Sequence, residues 1–302
     1  MQFPRSGDMP TLPLNRTSPT CPPRFALVLG SGGVRSIAAL GMVEVLAREG
    51  LVPDLVVGCS AGAMFGALIA AGHDAREAIR IATTLWSPEV TRKRRWKAVP
   101  QMLWPRLGRF DADFSLRDDG PVMQRLEQAF GDVRIEHLRI ALRVTTTDAA
   151  TGERVVLHEG ALVTALRASI ALPFMFSPVH LDGRRLIDGF VADPLPVSAA
   201  LDAQTVLALG FESPMPYRID GPSRMLAQVT SALTNNLMQA RLAEAQGGGA
   251  RLLSIVPRLE RRVGLFDTEA MPYLVEAGRR ATEDALPNIL ALVKRAPHLA
   301  AA

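Results

Sequence analysis

Leu55-Val56-Val57-Gly58-Cys59-Ser60-Ala61-Gly62-Ala63-Met64-Phe65-Gly66-Ala67-Leu68 passes from β-branched strand residues, through a Gly-x-Ser-x-Gly turn, into small and apolar residues with helical spacing. Strand, sharp turn and helix form the setting that a nucleophilic serine requires, with Ser60 at the tip. Gly58 and Gly62 flank it because the chain reverses close to neighbouring backbone, where a Cβ would collide. The first free amides of the following helix point back toward the turn and stabilise negative charge developing there. The same string also fits a serine that merely starts a helix, so the surrounding chain has to carry the argument.

Working outward, Phe25-Ala26-Leu27-Val28-Leu29 is a continuous apolar run of buried-strand type, followed at once by Gly30-Ser31-Gly32-Gly33-Val34-Arg35-Ser36. A helix is expected over residues 37–49, with Gly50 as its stop. This strand, glycine loop and helix differ from the dinucleotide-binding pattern, because Arg35 stands where the third glycine would fall and no acidic residue closes a second strand at the usual distance. Consecutive glycines instead let several backbone N–H groups converge on one oxygen, and Gly32 and Gly33 are the expected donors of an oxyanion hole. Two adjacent strand–turn–helix units put both turns at one carboxyl edge of a parallel sheet.

The 302 residues are 48% hydrophobic, which suits one large domain. Cys21 and Cys59 do not make a disulfide framework, and a reducing, cytoplasmic setting is expected. Residues 1–23, rich in Pro, Ser, Thr and Arg, read as a disordered lead-in without a secretory signal, and residues 294–302 as a tail. The uncharged run 55–72 is long enough to span a membrane, but the elbow divides it into a strand and a helix that are each too short. A net charge of +4 and a pI of about 9.6 fit an anionic surface. That charge concentrates in 86–119, a basic and tryptophan-bearing lid or cap in which Arg94, Arg95, Trp96 and Trp104 suit peripheral contact with lipid headgroups. A solvated basic helix is the plainer reading, and no nucleic-acid reader motif accompanies the patch.

Further along, helices are expected over 75–85, 121–130, 162–171, 222–246 and 268–293, and strands over 139–147, 153–158, 205–209 and 251–256. Asp182-Gly183 bends a hairpin that delivers Asp188-Gly189, where a carboxylate at a strand end can face a cleft. A serine hydroxyl needs a base. The order Ser60, Asp188, His298 mimics a hydrolase triad, yet His298 lies beyond Pro297 in residues expected to fray.

In their order, Gly30-Ser31-Gly32-Gly33-Val34-Arg35, Gly58-Cys59-Ser60-Ala61-Gly62 and Asp188-Gly189 resemble the glycine-rich loop, nucleophile elbow and Asp-Gly motif of the patatin-like phospholipase family. Arg167-Ala168-Ser169-Ile170-Ala171-Leu172-Pro173 and Asp193-Pro194-Leu195-Pro196-Val197 resemble the family's flanking segments. The resemblance covers residues 24–292. It implies a three-layer α/β/α domain, over 24–293, around a mainly parallel sheet. It implies a Ser60–Asp188 dyad without histidine, an oxyanion hole at Gly32, Gly33 and Val34, and no metal or cofactor. A lipid or acyl ester would be the substrate, hydrolysed through an acyl-enzyme. Acyl transfer or thioester hydrolysis with the same dyad, or a silent lipid-binding module, are the alternatives. Ser36, Phe190 and Asp193 depart from the family pattern.

Overall fold

The computed structural model describes residues 22–87, 98, 101 and 110–294. Arg94, Arg95, Trp96 and Trp104, with most of the expected cap, lie outside the described residues, as do nearly all of the lead-in and the tail. Trp86, at the start of that stretch, is buried and stacks on Phe266 with ring centroids 5.9 Å apart, so it belongs to the core.

Strands β1 (Phe25–Leu29), β2 (Leu55–Cys59), β3 (Ala141–Asp148), β7 (Thr205–Leu209) and β8 (Leu252–Ile255) run parallel to one another. Antiparallel β4 (Arg154–Leu157), β5 (Val179–Leu181) and β6 (Arg184–Asp188) complete the sheet. Hydrogen-bonded neighbours run β5-β6-β3-β2-β1-β7-β8, with β4 also on β3. Every residue of β1, β2 and β7 is buried, which is why these strands read as continuous apolar runs.

The helices are α1 (Ala38–Arg48), α2 (Ala61–Ala70), α3 (Ala75–Leu85), α4 (Gly120–Phe130), α5 (Leu162–Ser169), α6 (Pro222–Gly247) and α7 (Met271–Lys294). Because side chains alternate along a strand, Leu27 and Leu29 of β1 join the core with α1, α2, α5 and α7, while Ala26 and Val28 face the opposite way. There they meet Leu195, Val197 and, from α6, Met238 and Leu242. The result is the expected three-layer α/β/α architecture with a mainly parallel sheet.

Two expected elements differ in detail. The helix read over 37–49 begins with a 3-10 turn, Gly33–Ile37, before α1, because the glycine loop first closes on itself through Arg35 N–H to the Gly32 carbonyl, 3.3 Å. The segment 162–171 stops earlier, with α5 ending at Ser169. The Asp-Gly hairpin forms as read, with Asp182 at φ 50° and Gly183 at φ 73°, the pair of positive values that a two-residue turn of this kind demands.

The junction of β2 and β6 depends on how β3 is shared. Thr145 pairs with Cys59 of β2 and with Val156 of β4, and Thr146 pairs with Asp188 of β6 and with Val155 of β4. Since β4 occupies one edge of β3 from Val144 to Thr147, β2 and β6 must follow one another along the other edge. They run in opposite directions, so their carboxyl ends meet.

Helix α1 is held against α7 backbone to backbone. A Cβ on Gly278 would run into the Ala38 carbonyl, and one on Gly41 into the Val275 carbonyl. Gly278→Ala is therefore expected to destabilise the chain by about 1–3 kcal/mol. Thermal unfolding followed by circular dichroism reads this; an unchanged melting temperature would contradict the close approach.

Candidate active site

Ser60 is the first residue past β2 and the N-cap of α2, with φ 56° and ψ −131°. A non-glycine residue in that region is strained and is held by its surroundings. Those surroundings explain the glycines on either side. A Cβ at Gly62 would stand 2.5 Å from the carbonyl oxygens of Leu29 and Gly30, and one at Gly58 would meet the Ala63 backbone. The first contact sets the elbow against the glycine loop.

Ser60 Oγ donates to Asp188 Oδ2 at 2.7 Å, and the Ser60 N–H donates to Ser169 Oγ at 2.8 Å. Asp188 is 2% exposed. Its other oxygen, Oδ1, accepts from the Phe190 N–H at 3.0 Å. Its backbone is fixed as well, by its N–H to the Ala171 carbonyl at 3.0 Å and by Thr147 Oγ1 donating to its carbonyl at 2.9 Å. Gly189 is required next, because a Cβ there would stand 2.5 Å from the Thr145 carbonyl and 3.0 Å from Cys59 Sγ.

Burial raises the Asp188 carboxyl to about pH 7, although the hydrogen bonds from Ser60 and Phe190 pull the other way. Such a group is ionised at slightly alkaline pH and yet is a far stronger base than a solvated carboxylate. Burial, helped by the Asp188 charge, also pushes the Cys59 thiol well up, so Cys59 stays an inert packing residue.

The glycine loop divides into engaged and open amides. Gly30 N–H donates to Leu209, Ser31 N–H to Pro194 and Val34 N–H to the Leu265 carbonyl, at 2.9, 2.8 and 2.9 Å. Val34, expected as a third oxyanion donor, is therefore already committed. The N–H groups of Gly32 and Gly33 meet no acceptor among the described residues. Gly33, at φ 57°, takes a conformation that glycine adopts freely.

Arg35 gives that loop its orientation. Its buried guanidinium donates from Nε to the Gly32 carbonyl at 3.1 Å, reaches the Glu212 carbonyl at 2.7 Å and stacks over Phe211. In a trans peptide the C=O and N–H point in opposite directions, so holding the Gly32 carbonyl turns the Gly33 N–H the other way. Ser36, the departure at the loop's end, donates to the Gly30 carbonyl at 3.0 Å and braces the loop. Asp193 is fully buried against Arg154 at 2.7 Å and against Ser198, a structural pairing behind the site.

No histidine joins Ser60 or Asp188 among the described residues. His73 bonds Glu77 and His180 bonds Asp113, both at the surface. His298 lies outside the described residues. Nor is there a cluster of three metal-binding side chains, or a helix long and apolar enough to cross a membrane, among the described residues.

A doubly covered parallel sheet with a strained serine elbow facing a buried aspartate defines the class. The chain belongs to the patatin-like phospholipase family, whose model matches residues 27–201. An uncharacterized NTE family protein of Mycobacterium tuberculosis (strain ATCC 25618 / H37Rv) is 31% identical over 248 residues, which is 81% of this chain and 64% of that protein. Lysophospholipase NTE1 of Saccharomyces cerevisiae is 28% identical over 64% of this chain, which is 11% of the yeast protein. Among solved structures, VipD from Legionella pneumophila aligns over 88% of this chain and 67% of its own, with 16% identity and a TM-score of 0.49. The chain thus spans just under two thirds of the mycobacterial relative and a small fraction of the yeast one.

The buried carboxyl has a consequence for stability. Its folded pKa of about 7 lies above its unfolded value of 3.8. Between those values the folded chain keeps a proton that the unfolded chain releases, so stability falls as pH rises and the full penalty is present above pH 7. Asp188→Asn, whose amide can donate to Ser60 Oγ, is expected to melt higher than wild type at pH 8. That advantage should shrink as pH falls toward 4; equal melting temperatures at both pH values would contradict it.

Proposed function

We propose that this chain is a serine lipid acyl hydrolase of the phospholipase A, lysophospholipase or esterase type, working through Ser60 and Asp188. The observation that carries the reading is the 2.7 Å hydrogen bond from the Ser60 hydroxyl to the buried Asp188 carboxyl. Asp188 Oδ2 takes the hydroxyl proton as Ser60 Oγ attacks the ester carbonyl carbon. The former carbonyl oxygen becomes an oxyanion, received by the Gly32 and Gly33 N–H groups and favoured by the N-terminal amides of α2. On collapse, the C–O bond to the leaving alcohol breaks and Asp188 returns the proton to it. Water then gives a proton to the same carboxylate as it attacks the acyl carbon, the bond from that carbon to Ser60 Oγ breaks, and Asp188 passes the proton to Oγ.

A lipid substrate is supported by the family and by the apolar side chains on loops flanking the dyad. Phe174 is 63% exposed, on the turn that leaves Ala171. Val191, just past Asp188-Gly189, and Leu265, whose carbonyl holds Val34, are exposed as well. An acyl chain gives such residues something to cover.

Hydrolysis of a p-nitrophenyl ester and of a lysophospholipid tests the reading. Wild type is expected to turn over both, Ser60→Ala to lose roughly 10⁴-fold or more in kcat, and Asp188→Asn to fall comparably. A fluorophosphonate should add to Ser60, with His73 and His180 variants reacting normally. Acyl appearing on an added alcohol instead of water would redirect the assignment to acyl transfer. A folded wild type that neither hydrolyses nor labels, with lipid or detergent present, would overturn it in favour of a binding module.

A further inference from the structure

We propose that Ser169 is a positioning residue for the nucleophile, its hydroxyl standing in for the last ladder hydrogen bond of β2 and thereby setting the Ser60 elbow. The inference rests on the reading of Ser60 as nucleophile and names a residue to which the dyad scheme gives no part.

Ser169 is the last residue of α5 and is completely buried. Its Oγ donates to the Thr145 carbonyl at 2.8 Å and accepts from the Ser60 N–H at 2.8 Å. The two bonds fix the hydroxyl's direction. Its single proton goes to the carbonyl, which has none to give, and a lone pair is left for the amide.

The position of this bridge in the sheet explains what it does. Cys59 is the register partner of Thr145. Asp148 N–H donates to the Glu153 carbonyl on the β4 side, so by alternation the Thr145 N–H and C=O face β2. There a parallel ladder takes that carbonyl to the amide following Cys59, and Ser60 N–H to Thr145 O is the bond that would continue β2. The Ser169 hydroxyl occupies that place. The hydroxyl oxygen stands between the Ser60 amide and the Thr145 carbonyl, and the chain leaves the sheet at Ser60 with φ 56° and ψ −131° while both of those groups stay paired.

Removing the hydroxyl leaves two outcomes, and both affect the nucleophile. If the backbone stays, the Ser60 N–H and Thr145 carbonyl are buried without partners, a state that polar groups avoid. If it relaxes, the two close up and bond directly, which draws Ser60 toward extended geometry and takes Oγ off Asp188. The strained elbow then loses its restraint.

The α5 terminus that carries Ser169 is itself tied down. Arg167, two residues earlier and buried, pairs with Asp119 at 2.6 Å, donates to the Ser177 carbonyl at 2.8 Å and lies over Phe176. The hydroxyl is thus presented from a braced helix end, whereas the bonds it makes reach only to β3 and to Ser60.

The test uses the full chain as wild type, Ser169→Ala, Ser169→Thr and Ser169→Cys. Each is assayed for p-nitrophenyl ester hydrolysis, thermal unfolding, and the fraction of molecules that a fluorophosphonate labels at Ser60 on long incubation. Ser169→Ala is expected to label to completion with kcat per labelled site down ~10- to 100-fold and KM within about threefold. Ser169→Thr, which keeps the hydroxyl, should recover more than half of that loss on a logarithmic scale, and Ser169→Cys less. Wild-type kcat per labelled site in Ser169→Ala would overturn the proposal, as would a loss that only tracks the unfolded fraction. If Ser169→Ala does not fold, the order of Thr above Cys at equal labelled fraction decides, and equality overturns it. A wild type that hydrolyses and labels nothing would sink the assignment of Ser60 itself, a result separate from any ranking of the Ser169 variants.

Discussion

The hydrogen bond from Ser60 to Asp188 joins the carboxyl ends of two strands that run toward each other along one edge of β3. Parallel β2 stops at Cys59 beside Thr145, and antiparallel β6 stops at Asp188 beside Thr146. Adjacent residues of a single strand therefore set the distance between the Ser60 hydroxyl and the Asp188 carboxyl, and a slip of one residue in either pairing would separate them. The short Asp-Gly hairpin is the means by which the chain reverses into β6 and brings its end to this junction. Gly189 allows the junction to close, because any side chain there would strike the Thr145 carbonyl.

The same junction determines the electrostatics. Asp188 lies where the ends of two strands and the glycine after it exclude water, which is what raises its carboxyl to about 7. That burial weakens the fold above pH 7 and leaves Asp188 a stronger base than a solvated carboxylate. On the other side of Ser60, the amides of Gly32 and Gly33 are left open while those of Gly30, Ser31 and Val34 are committed to neighbouring strands and loops. Arg35 keeps the division in place by holding the Gly32 carbonyl from behind.

Most of the fold was legible because its signals are local. The buried strands are uninterrupted apolar runs, the turns carry glycine where backbone approaches closely, and Asp182-Gly183 is a hairpin bend on dipeptide chemistry alone. Ser60 and Asp188 could be named for the same reason, each being marked by its glycine neighbours. Partnerships across the sequence could not be read in the same way. Val34 N–H is taken by the Leu265 carbonyl, 231 positions away in a loop without any motif, so the third expected oxyanion donor drops out. Ser36, read only as a departure from the family pattern, donates its hydroxyl to the Gly30 carbonyl. Ser169 is an ordinary residue in a segment notable only for its resemblance, and its two bonds emerge once α5 is packed against the gap between β2 and β3. The cationic and tryptophan-bearing residues from Arg94 to Trp104 lie outside the described residues, and Trp86 before them packs inward on Phe266.

The central claim is that a buried, near-neutral aspartate activates Ser60 without a histidine. The pH dependence of the second-order rate at which a fluorophosphonate modifies Ser60 addresses it most directly, since it reads nucleophile activation apart from substrate binding and product release. The account predicts a rate that rises tenfold per pH unit at low pH and levels off with its midpoint near 7, and a flat, very low rate in Asp188→Asn. A wild-type midpoint near 4, or an unchanged profile in Asp188→Asn, would contradict it.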